Sequence, residues 1–191
     1  MKRIWLSAAL ALTAGAVLAE PVTYEIDPSH TYPSFEADHM GGLSIWRGKF
    51  NATSGRIVLD REARAGTVEV TVDMTSIDFG HEEMNAHAKS ADMFDVEKYP
   101  TATYKGRFSR FEGDVPVEVQ GELTMHGVTR PVTLTIHQFL CKQHPMHKRE
   151  VCGADASATI DRSEFGVSYG QSFGFKQDVK LLIQVEALRA E

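Results

Sequence analysis

The sequence predicts an all-β protein, a single antiparallel barrel of about eight strands with a short helical insertion. Period-two alternation of apolar and polar residues runs through most of the chain. Turn-forming residues fall between the alternating runs, with no βαβ rhythm. A single stretch departs from the pattern, at helical spacing. A β-sandwich is the alternative that these observations leave open.

The first residues read as an export leader. Lys2 and Arg3 precede an apolar and small-residue run from Ile4 to Leu18. Val17 and Ala19 occupy the minus-three and minus-one positions of a small-residue cleavage site, so residues 1–19 form the expected signal peptide. An uncleaved anchor is the alternative, but a span needs about 20 apolar residues and this run is shorter and rich in Ala. The expected domain is residues 20–191, exported by a bacterial-type signal to the periplasm.

Each later element follows from its own pattern. Phe35, Ala37 and His39 alternate with Ser34, Glu36 and Asp38 before a Gly41-Gly42 turn. Val68, Val70 and Val72 alternate with Thr67, Glu69 and Thr71 after a turn from Asp60 to Gly66. From Glu82 to Phe94, Met84, Ala88 and Ala91 recur at helical spacing among charged residues, predicting a short amphipathic helix. Tyr99-Pro100 ends that segment. Ala102, Tyr104, Gly106 and Phe108 then share one face, as do Val117, Val119, Gly121, Leu123 and Met125 beyond the Gly113 turn. His126-Gly127 turns the chain into Val128, Val132, Leu134 and Ile136. Cys152, Ala154, Ala156, Ala158 and Ile160 form another inner face. Val179, Leu181, Ile183, Val185 and Ala187 form the last. One apolar and one polar face is what a half-buried antiparallel strand requires.

Charge excludes one class of partner. Removing the two leader cations from a formal net charge of −6 leaves −8 on the mature chain, which argues against nucleic acid as a partner. Cys141 and Cys152 would meet an oxidising compartment and sit at a separation that suits a bridge across two hairpin arms. Such a bridge contributes roughly 3 kcal/mol by loop closure. Two free thiols are the alternative.

Little catalytic chemistry is visible. The chain has no His-Glu-x-x-His and no phosphate-cradling glycine loop, and it is read as a non-enzyme with no cofactor. Its main rival function is copper or zinc binding by His144 and His147 around Met146. Glu83 and His87 form a second pair at i, i+4. Solvated loop and helix residues are the favoured reading of both pairs, and no metal ligand is assigned. Lys142, Lys148 and Arg149 make the segment between the cysteines cationic, suited to an anionic head group or transient contact with a membrane surface.

Several phrases in order resemble the YceI family of exported, lipocalin-like proteins. They are Tyr24 to His30, His39 to Leu43 with Gly48 to Phe50, Ser90 to Phe94 with Tyr99 to Tyr104, and Gly121 to Leu134. The resemblance implies a lipocalin-like barrel with an apolar tunnel that binds an isoprenoid quinone or a polyprenyl lipid. Small inward residues would then leave space between larger ones. The implied lining is Phe35, Ala37, His39, Phe50 and Val70 from the first half. Phe94, Tyr104, Gly106, Phe108 and Gly121 follow, then Leu123, Leu134, Leu181 and Ile183. The segment from Cys141 to Cys152 departs from the family's common core.

Overall fold

The computed structural model describes residues 20–191, and the expected leader lies outside them. Twelve elements follow in chain order: β1 (Val22–Ile26), β2 (Ser34–His39), β3 (Ser44–Phe50), β4 (Thr53–Asp60), β5 (Ala65–Asp73), β6 (Ile77–Asp78), α1 (Glu82–Lys89), β7 (Thr101–Glu112), β8 (Val115–Met125), β9 (Val128–Gln143), β10 (Glu150–Asp161) and β11 (Asp178–Arg189). The sheet runs β1-β4-β5-β7-β8-β9-β10-β11, and β11 pairs back onto β1. All of these pairings are antiparallel. The ring is a closed barrel, so it leaves no long unpaired edge.

The final strand is shared between two partners. Its C-terminal half pairs Leu188 with Glu25 of β1, while its N-terminal half pairs Leu181 with Phe35 of β2. Strands β3 and β6 extend the sheet beyond β2. The strand that faces β11 is therefore divided into β1 and β2. There the Asp27 carboxylate accepts from the Ser29 amide (2.9 Å) and hydroxyl (2.6 Å). Thr31 is buried in the gap, donating to the Glu186 carbonyl and accepting from the Glu186 amide, each at 3.2 Å.

Two poles result. One holds the β2–β3 turn, α1 and the segment from Arg162 to Gln177; the other holds the β9–β10 turn, where Arg149 Nη1 donates to the Arg189 carbonyl at 3.1 Å. At the helix pole, α1 starts on His81, whose Nδ1 accepts from the Met84 amide, with Glu82 and Glu83 in its first turn. The α-helix ends at Lys89, earlier than the expected Phe94, because the Ser90 amide and hydroxyl both turn back onto the His87 carbonyl. Tight turns carry the rest of that segment.

A second departure has a clear cause. On β9 the register shifts opposite Asp155 and Ala156, with Ile136 facing Ala156 and Gln138 facing Asp155. This β-bulge absorbs His137, so both His137 and Gln138 are exposed and Phe139 takes the inner side. Beyond it Cys141 and Cys152 stand directly opposite one another, with Cα atoms 4.0 Å apart, and are joined by a disulfide.

Candidate functional site

The barrel interior is an apolar cavity in two chambers. The first, of about 200 Å³, runs from Tyr24, Leu59 and Ala187 near the disulfide pole up to Phe35 and Met125. The second, of about 370 Å³, lies under α1 at the helix pole. They share Phe35, Phe50, Met125, Ile160 and Leu181 as a common wall.

The first chamber is closed at its far end by the packed cluster of Tyr24, Ile26, Leu59, Cys152 and Ala187. Ala102, Ala154 and Ala156 keep its middle open, since an alanine on an inward position leaves volume that a Leu or Phe would fill. Of its few polar atoms, Thr53 Oγ1 is buried without a partner, while the two tyrosine hydroxyls are satisfied. Tyr24 donates to Glu150 Oε1 at 2.5 Å. Burial, then the Glu150 carboxylate, push its hydroxyl up to about 12. Tyr104 donates to the Val132 carbonyl at 2.9 Å and the Val119 carbonyl at 3.3 Å, and burial likewise raises its pKa.

The second chamber is aromatic with a polar fringe. His39 lies between Trp46 and Phe175, with ring centroids 5.3 and 5.2 Å away. Phe79, Phe94, Tyr169 and Phe173 complete much of the wall. Asp38 accepts from the Lys176 amide (3.0 Å) and the Gly41 amide (2.9 Å), and these backbone donors, Lys176 foremost, lower its pKa. Arg162 donates through Nη1 to Val167 O at 2.9 Å and through Nη2 to Tyr169 O at 2.7 Å. Burial lowers its pKa from the usual value. His87 Nε2 is buried with no hydrogen-bond partner, and its ring meets the Tyr169 ring edge-on at 4.5 Å.

The expected lining residues distribute over both chambers. Val70, Tyr104, Phe108, Leu123, Leu134 and Ile183 line the first. Ala37, His39 and Phe94 line the second, and Phe35, Phe50 and Leu181 border both. Gly106 and Gly121 are different and correct the expectation. They face each other across β7 and β8, and the Tyr104 ring covers them. An added Cβ on Gly121 would lie 2.7 Å from Tyr104 Cζ, so these glycines make room for the ring and leave the cavity wall to others.

Phe139, Trp46, Phe175, Tyr169 and Phe173 line the chambers without having been expected there. The bulge on β9 hides Phe139, because one inserted residue reverses the parity of everything after it. The other aromatics sit on the hairpin and on the Gly-rich stretch after Arg162, where no period announces direction. The sequence signal was the run of Tyr169, Phe173 and Phe175 among Gly170 and Gly174.

The metal rival gains no third ligand. The His144 and His147 rings are 4.5 Å apart, and His144 Nδ1 accepts from the Met146 and His147 amides, so that nitrogen serves the turn. Among the described residues the one convergent donor set is Cys141, Glu150 and Cys152, whose two sulfurs are bonded to each other. Glu83 and His87 share the helix, but His87 faces the second chamber.

Solved structures share this architecture. BcnA of Burkholderia cenocepacia superposes with a TM-score of 0.67 at 24% identity, over 85% of this chain and 99% of that one. A polyisoprenoid binding domain from Saccharophagus degradans gives 0.64 at 14% identity, over 88% and 99%. In sequence, a UPF0312 protein of Pseudomonas aeruginosa is 32% identical over 188 residues, covering 95% of this chain and 96% of the relative. Protein YceI of Escherichia coli is 30% identical over 183 residues, covering 95% and 94%. With the YceI-like domain model matching residues 24–187, nearly the whole described chain, the protein belongs to the YceI family.

Proposed function

We propose that the protein is a periplasmic, non-catalytic carrier of a long, slim isoprenoid or lipid-like molecule. The observation that carries this is the two-chamber apolar cavity inside a closed barrel. The first chamber suits a hydrocarbon tail. Each buried methylene contributes about 0.8 kcal/mol, so affinity accumulates with chain length and needs no strong polar contact. The second suits the polar end, because its rings can stack on a planar head and its fringe carries Asp38, Arg162 and His87. An isoprenoid quinone and a polyprenyl lipid both meet these demands. The Saccharophagus domain's description as polyisoprenoid binding supports the reading. The polar groups of the fringe are largely committed to backbone partners and form no nucleophile–base pair, in keeping with a binding role. Among the described residues no helix is long and apolar enough to cross a membrane.

Organic extraction and mass spectrometry of protein from its native host test the proposal directly. The wild type is expected to release an isoprenoid in near-stoichiometric amount. An Ala156→Phe variant, which fills the first chamber, should remain folded and lose at least tenfold in retained ligand. Extracts at background from the wild type, with no melting-temperature rise on adding polyprenyl ligands, would reject the carrier role.

A further inference from the structure

We propose that the helix pole is a docking surface for an anionic lipid bilayer, with the β2–β3 turn and the segment from Arg162 to Gln177 dipping into its interface. The inference rests on the carrier reading, since it gives an apolar ligand a dry path into the second chamber.

Exposed apolar side chains are concentrated here. Among the described residues, eight large hydrophobics are exposed, and five of them stand at this pole: Met40, Leu43, Ile45, Tyr169 and Phe173. Leu43 is 72% exposed and Phe173 67%. Tyr169 and Phe173 also line the second chamber, so the apolar tips surround its mouth. One carboxylate holds both segments in place, because Asp38 accepts from Gly41 on one and from Lys176 on the other.

Charge identifies the occupant. The mature chain is formally −8 once the two leader cations are removed from −6. Yet from Met40 to Ala52 and from Phe165 to Gln177 there is no Asp or Glu, while Arg47, Lys49 and Lys176 are present. Arg47 pairs with Glu36 at 2.8 Å and Lys49 lies over the Tyr32 ring. Lys176 stands beside the Gly42 turn, at the base of the tips. The acids nearest the two segments lie at their bases and edges: Asp38 is tied to the Gly41 and Lys176 amides, Glu36 pairs with Arg47, and Asp78 accepts from Asn51. Glu164 and Asp178 flank the second segment, and Glu82 and Glu83 start α1. Apolar and aromatic tips above cationic bases match the layering of a bilayer interface, where side chains of this kind partition and lysines meet phosphates. Met40, Leu43, Tyr169 and Phe173 stand outside the strands, and Ile45 stands on β3, whose outer edge pairs β6 only at Lys49 and Phe50.

Vesicle co-sedimentation of the mature protein is the test, using phosphatidylethanolamine vesicles containing phosphatidylglycerol. Trp46 is the sole tryptophan of the mature chain, because Trp5 lies in the leader, and it lines the second chamber. Its quenching by brominated acyl chains provides an independent readout. The wild type should sediment and be quenched. Met40→Asn/Leu43→Ser, at positions outside both chamber walls, should lose at least tenfold in vesicle binding. That variant should keep the wild-type circular dichroism and load polyprenyl ligand from detergent micelles as the wild type does. A variant that sediments like the wild type overturns the docking surface. So does a wild type that loads from micelles but ignores vesicles, including one captured instead by a protein partner. A wild type that binds vesicles yet loads nothing supports docking and rejects the carrier role.

Discussion

Gly121→Ala is expected to destabilise the protein by about 2–4 kcal/mol, although it adds a single methyl group to a face beside a cavity. The added Cβ would lie 2.5 Å from the Lys105 carbonyl oxygen and 2.7 Å from Gly106 Cα. Both are backbone atoms of the paired strand, which cannot retreat without opening the β7–β8 ladder. Overpacking of this kind costs about 1–3 kcal/mol. The Tyr104 ring would also be displaced, since its Cζ stands 2.7 Å away, and its hydrogen bond to Val132 O contributes about 1 kcal/mol more. At roughly 2–4 °C per kcal/mol for a chain of this size, the melting temperature should fall by about 5–15 °C. Gly106→Ala should cost less, because its closest contact is the movable Val119 Cγ1 at 2.7 Å, with Gln120 O at 3.0 Å. Circular-dichroism melts of the disulfide-intact chain from residue 20 onward measure both. A Gly121→Ala melt within about 2 °C of wild type, or the reverse order of the two variants, would refute the packing argument.

Two further outcomes follow from the poles. Cys141→Ser or Cys152→Ser should lower stability by roughly 2–3 kcal/mol through the freed hairpin arms. Intact mass after alkylation of unreduced wild type should show no modified thiol, because the two are bonded. For Asp27, burial opposes ionisation, but hydrogen bonds from Ser29 and His30 outweigh it and hold the pKa at about 2. That stabilisation is present above the unfolded value of about 3.9 and is lost as pH falls through the folded one. His30 is shifted the other way, chiefly by its hydrogen bond to Asp27, so its contribution is complete below the unfolded value of about 6.5 and lost as pH rises through the raised one. The pair should therefore stabilise most between about pH 4 and 6.5. Asp27→Asn should flatten the acid limb of melting temperature against pH and return the His30 NMR titration toward its ordinary midpoint.

The barrel was legible because a buried sheet face imposes parity on its residues. Val68 and Val70, or Leu181 and Ile183, could not alternate as they do in any other half-buried element. The cysteine pairing was legible because a hairpin brings positions at that separation together. Parity fails where the chain gains a residue or leaves the sheet. Phe139 was lost to the bulge at His137, and the break from Asp27 to Pro33 has no periodic signature. Direction also differs from access. Gly106 and Gly121 point inward as the alternation implied, but depth belongs to Tyr104, whose bonds to Val119 and Val132 lay its ring over them. Hydrogen bonds between distant strands decide that, and a local pattern does not contain them.

The shared pairing of β11 has a consequence for how the cavity comes into being. Its residues complete the ladder with β10 along nearly their whole length, and they alone join that ladder to β1 and β2. The strand that closes the ring is the last of the described elements and must find partners in the first two. Contacts of that sequence separation make folding slow, on the order of milliseconds to seconds for all-β topologies. Until β11 docks there is a curved open sheet whose inner side chains face water. A greasy molecule present during that interval can be wrapped by the closing barrel without threading through its mouth, so cargo acquired at birth and cargo exchanged later would enter by different routes.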